Sequence, residues 1–137
     1  MDVSADSTAS LGGTAKKAVT LHQPYASLIA LKVKRFETRT WPTKHRGQIA
    51  IHAGMKLHKE VCEAFNLNPA DLPLGAIVAY ADVVDCILMT PEFIVAQSET
   101  ERSCGNWEVG NWAWQLQNLQ VLDCPIPIAG KQGLWFV

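Results

Sequence analysis

The chain has 137 residues, 48% hydrophobic and 18% charged, with 12 Lys and Arg against 13 Asp and Glu. That length and composition fit one globular domain around one core, and exclude a disordered low-complexity chain or a two-domain protein. A net charge of −1 excludes a uniformly basic protein, yet residues 32–46, KVKRFETRTWPTKHR, hold six of the cations and a single acid, Glu37, a local segregation that suits a polyanion. The same row of cations also suits a solvated edge strand.

In chain order, residues 1–16 lack the basic start and apolar middle of a secretory signal and read as a loose Ser/Gly/Ala tail before a domain over 17–137. Residues 17–22, KAVTLH, predict a strand ending at Gln23-Pro24, and Pro24 suits the first turn of a helix because it needs no N–H there. Tyr25, Leu28, Ile29 and Leu31 then fall on one side of a short helix that covers a sheet. From Lys34 the pattern alternates, with Arg35, Glu37, Arg39 and Trp41 on one face of a strand and Phe36, Thr38 and Thr40 on the other. Trp41-Pro42-Thr43 breaks it, and the apolar run 48–53 is expected to return as its hairpin partner, with Lys44 to Arg46 at the tip. A second helix is expected over 58–66, with Val61, Cys62 and Phe65 inward and Asn68-Pro69 as its stop.

Residues 75–89 form the longest β-rich run, long enough to bend around a barrel but interrupted by Asp82 and Asp85 and too short for a membrane span. An acidic loop over 92–108 and three short strands, 112–116, 121–128 and 134–137, complete an α+β domain. Its predicted form is a small, nearly closed β-barrel of about five to seven strands with two or three short helices. The four cysteines form no CxxC pair and the histidines no HxxxH pair, so no metal or other cofactor is expected, and the thiols fit a reducing cytoplasm. Cys104 is expected to be the most exposed thiol; His22 and His52 are expected to be satisfied core histidines.

The segments LHQPYASLIALKVKRFETRTWPTKHRGQIAIHA, PLGAIVAYADVVDC, NWAWQLQNL and GKQGLWFV together resemble the ASCH domain, the PUA-like activating signal cointegrator homology module. The resemblance spans residues 19–137. Its GxKxxExR signature is met by Lys34, Glu37 and Arg39, while Lys32 stands where the signature has glycine. It implies a β-barrel whose cleft, lined by those three residues, binds RNA, single-stranded nucleic acid or a nucleotide-like molecule.

Read as chemistry, Arg39 offers a planar fork for phosphate, Lys34 a compact cation, and Glu37 a carboxylate that orients both. Lys32, Arg35, Lys44 and Arg46 extend the positive surface, Trp41 is the best candidate for stacking on a base, Tyr25 a second one, and Gln23 either reads a base edge or caps the helix. The trio reads equally well as a structural ion-pair network. Two rival classes stand beside the binding module. One is a hydrolase with Lys34 and Glu37 catalytic, since some ASCH-like proteins cleave an acylated cytidine with lysine, threonine and glutamate and others are nucleases; against it, Glu37 stands where the hydroxyl is expected, and Thr38 is expected to face away. The other is a protein-interaction module that uses the acidic loop.

Overall fold

A computed structural model describes residues 16–137; the expected tail falls outside them apart from Lys16. Six strands, β1 (Lys17–Gln23), β2 (Phe36–Arg39), β3 (Gly47–Leu57), β4 (Ala76–Leu88), β5 (Trp112–Pro127) and β6 (Leu134–Phe136), form one sheet in the order β2-β5-β4-β3-β1-β6. The sheet is barrel-like without closing. Four short helices accompany it: α1 (Tyr25–Ala30), α2 (Lys59–Ala64), α3 (Pro91–Val95) and α4 (Glu99–Ser103).

Strand alternation explains the core. Val19, Leu21, Ile49, Ile51 and Ala53 point to one face and join Ile29 and Trp114, while Ala18 and Ala50 point to the other and join Ile77, Tyr80 and Trp135. The middle strands are therefore covered on both faces and read as continuous apolar runs. Helix α1 contacts β1, β3, β4 and β5, so it fills the concave side of the sheet. Its Leu28 and Ile29 are fully buried, contributing about 1.5–3 kcal/mol each. Leu31, expected beside them, is 56% exposed because the helix ends at Ala30 and Leu31 is only its C-cap.

Three expectations are corrected. The basic strand β2 does not form a hairpin with β3 but pairs antiparallel with β5, Glu37 opposite Trp114 and Arg39 opposite Trp112. A charged four-residue strand is tolerated at a sheet edge, whereas the apolar β3 gains most in the middle, so two strands separate them. Residues 112–116 and 121–128 are parts of one bent strand, β5, which passes through Asn118 at φ 54°, a conformation asparagine tolerates; the Asn118 amide donates to Asp82 at 2.8 Å. The acidic loop contains α3 and α4, capped by the hydroxyls of Thr90 and Ser98 on the N–H groups of Phe93 and Glu101. Helix α2 also ends earlier than expected, at Ala64, with Asn66 at φ 57° and Cys62 as its buried residue.

Lys32 adopts φ 66°, the left-handed conformation that closes α1. Lys32→Gly is expected to stabilise the domain by about 1 kcal/mol, read as a higher denaturation midpoint at unchanged slope; no gain would mean that other contacts of Lys32 offset the strain.

Candidate nucleotide cleft

Between β1, β2, the start of α1 and residues 104–106 lies a cleft of about 370 Å³, lined by Thr20, Leu21, His22, Tyr25, Lys34, Glu37, Thr38, Arg39, Cys104, Gly105 and Asn106. Lys34 forms its cationic floor. After the left-handed turn at Lys32, the N–H groups of Val33 and Lys34 both donate to the Leu28 carbonyl, which turns the chain into β2 and aims Lys34 inward. Its Nζ donates to the Cys104 carbonyl at 2.6 Å, lies 3.8 Å from Glu37 Oε1 and 5.9 Å from the centre of the Tyr25 ring. The second oxygen of Glu37 accepts from Arg39 Nε at 2.7 Å, and Arg39 donates onward to the Thr20 carbonyl at 2.8 Å.

Burial dominates the electrostatics. It lowers the Lys34 pKa although Glu37 and Glu101 pull it up, because removing an ammonium from water costs more than one loose carboxylate contact restores. Burial likewise raises the Tyr25 phenol and the Cys104 thiol, keeping both neutral near pH 7. Cys104 is fully buried, contrary to expectation, and it serves the site through its carbonyl.

The trio Lys34, Glu37 and Arg39 thus meets in one place, with Tyr25 beside it. Lys32, Arg35, Lys44 and Arg46 are exposed outside the cleft lining. Trp41 is 36% exposed, edge-on to Trp114 at 5.0 Å and 5.9 Å from the Arg39 guanidinium. Gln23 is fully buried instead: its amide bonds Ser27 and the Pro73 carbonyl, and its oxygen accepts from the Ser27 N–H, so it caps α1 and reads nothing. Asp85 sits 3.8 Å from Arg46 in water, where the pair is worth little.

Several functional side chains escape sequence reasoning. His22, expected in the core, is exposed and lines the cleft, whereas His52 is buried as expected, bonded to Thr20 and the Ile128 carbonyl. The alternation of His22 with buried Val19 and Leu21 is the signal that finds it. Thr38 also lines the cleft rather than facing away, because residues 104–106 wrap the other side of β2 and the Asn106 N–H donates to its hydroxyl at 3.0 Å. Glu101, in the acidic segment, is buried and accepts the N–H groups of Arg35 and Phe36 at 2.9 and 3.3 Å.

Gly105 holds this wall close. A Cβ there would lie 2.7 Å from the Thr38 hydroxyl and 3.1 Å from Lys34 Nζ. Gly105→Ala is expected to cost about 1–3 kcal/mol through overpacking and to displace the Lys34 ammonium. Calorimetric unfolding measures the first effect and a chemical-shift change at Lys34 the second; an unperturbed variant would mean that the wall yields freely.

The barrel-like sheet with its short helices has the fold of the PUA-like class of domains. The chain belongs to the ASCH domain family, whose model matches residues 19–122, and the PUA-like fold of that family is associated with RNA binding. It is 36% identical over 132 residues to the Homo sapiens protein "Activating signal cointegrator 1" and 29% identical to its Mus musculus counterpart, in each case over 85% of this chain and 21% of the relative. The chain therefore spans about a fifth of the length of those relatives. The crystal structure of ASCH from Zymomonas mobilis is similar in fold, with a TM-score of 0.61 at 15% identity over 88% of this chain and 86% of that one. A tyrosine-to-phenylalanine mutant of the same Zymomonas protein gives 0.57 at 16% identity, over 88% of each chain. Among the described residues no helix is long and apolar enough to cross a membrane.

Proposed function

We propose that the domain binds RNA or another single-stranded nucleic acid by taking one nucleotide into the Lys34–Glu37–Arg39 cleft, in a transcription- or translation-related setting. The observation that carries this reading is a buried cation with a spare donor. The Lys34 ammonium has three N–H groups, and the protein engages one of them at hydrogen-bond distance, with Glu37 standing 3.8 Å away as a loose ion pair. The volume of the cleft lies at the low end of ligand sites, about 300–1,000 Å³, which suits one nucleotide and not a duplex. In this reading Trp41, part-exposed beside Arg39, stacks on a neighbouring base, and Lys32, Arg35, Lys44 and Arg46 supply attraction without sequence preference.

Fluorescence anisotropy with a short single-stranded RNA at two salt concentrations tests it. Binding should weaken with salt and fall further in Lys34→Met and Arg39→Ala; affinity indifferent to both substitutions would sink it.

A second reading is favoured by Thr38. With its hydroxyl in the same cleft as Lys34 and Glu37, the lysine, threonine and glutamate of an amide hydrolase acting on an acylated cytidine are all at hand. Lys34, its pKa lowered by burial, would serve as the base. Turnover of N4-acetylcytidine that is lost in both Lys34→Met and Thr38→Val is the expected sign of it, and an inert wild-type protein would exclude it. A protein-interaction role for residues 92–108 is less supported, because Glu101 is spent inside the fold.

A further inference from the structure

His22, which lines the cleft, pairs with a second histidine just outside it. His22 Nδ1 lies 3.0 Å from His58 Nε2, and the two rings are 5.1 Å apart. Nitrogens at that distance share one proton. Glu60 lies 3.7 Å from His58 Nδ1 and favours a proton on that nitrogen. A neutral His58 protonated at Nδ1 has a bare Nε2, so His22 Nδ1–H is the donor and His22 Nε2 is bare in turn. Among the described residues no hydrogen bond engages that atom, and His22 lines the cleft beside Lys34, Glu37 and Arg39.

We propose that the His22–His58 pair is part of the anion site: a phosphodiester entering the cleft draws one proton onto His22 Nε2, which becomes a third cationic donor alongside Lys34 and Arg39. This inference rests on the cleft being the nucleotide site. The groups facing the pair are Glu37 and Arg39 of β2, Lys56 of β3, Tyr25 of α1, whose ring is 6.0 Å from that of His58, and Glu60 of α2. In the empty protein, burial first and then His58, Lys56 and Arg39 lower the His22 pKa, against a smaller opposing pull from Glu37, so His22 is neutral near pH 7. A bound anion reverses the local field and raises it. Because His58 still accepts from His22 after the proton arrives, the cleft gains one charge without breaking the pair.

With the bound-state pKa above the free-state pKa, affinity is greatest below the free-state value and is lost as pH rises through the bound-state value. The probe is a short oligouridylate without terminal phosphates, whose diesters and bases do not titrate in the range of about pH 5 to 8 where histidine does. Its affinity should rise toward acid by up to about tenfold per pH unit, and calorimetry in two buffers of different ionisation enthalpy should record uptake of up to about one proton per complex. His22→Gln should bind weakly and lose the uptake, and His58→Leu, which removes the acceptor of His22 Nδ1–H, should reduce both, while His45→Gln, outside the cleft, keeps the wild-type slope. Tight binding with no uptake overturns this inference and leaves the nucleotide reading intact. A slope that survives in His22→Gln overturns it by assigning the proton to another group, and absence of binding at every pH overturns both.

Discussion

Glu101→Ala should destabilise the domain by about 3 kcal/mol or more and loosen the cleft before any ligand is added. The Glu101 carboxylate is buried and holds the N–H groups of Arg35 and Phe36 on either side of the point where the chain enters β2. Removing it leaves two donors without partners, at about 1–3 kcal/mol each, and leaves a void where the buried side chain stood. Its loss also removes one of the charges that support the Lys34 ammonium. Glu101→Gln retains one acceptor oxygen and should lose less than half as much. Chemical denaturation of the two variants measures the difference; equal midpoints for wild type and Glu101→Ala would show that water replaces the carboxylate at no cost.

Lys34→Met is expected to leave the fold standing while weakening RNA binding by about 10- to 100-fold, the equivalent of a charge-assisted hydrogen bond of about 1.5–3 kcal/mol. Two features separate binding from stability here. Met conserves most of the buried volume, and Glu37 keeps its 2.7 Å contact with Arg39, so no carboxylate is stranded. Replacing a buried charge by an apolar side chain is often neutral for stability or better. Anisotropy at low salt, with the denaturation midpoint as a control, reads both quantities. Retained affinity in a folded Lys34→Met protein would remove the buried ammonium from the recognition site.

Much of this site was legible in the order of residues. Phe36 to Arg39 declare a short charged strand, and the charge excess around Glu37 marks it out from the rest of the chain. The pairing of that strand was not legible, since a Pro-containing turn before an apolar run suggests a hairpin and only competition among strands for the middle of the sheet sends β2 to the edge. The depth of Lys34 was hidden for a related reason: its burial depends on residues 104–106, some 70 positions away, and a cation written beside Arg35 looks no different from one in solvent. The burial of Gln23 and of Cys104 was equally hidden, the first a polar side chain sealed in the core as a helix cap and the second a thiol in a polar segment that is fully covered.

Sequence by itself determined most of the strands and the first two helices, through hydrophobic period and turn chemistry, and it placed Lys34, Glu37 and Arg39 within reach of one another, because alternation and short spacing act along the chain. Tertiary structure alone decided that Glu101 supports the cleft, that Thr38 opens into it and that His22 meets His58. Those meetings join segments 36 to 68 residues apart, and no local preference specifies a contact that exists only once the sheet has curled around α1.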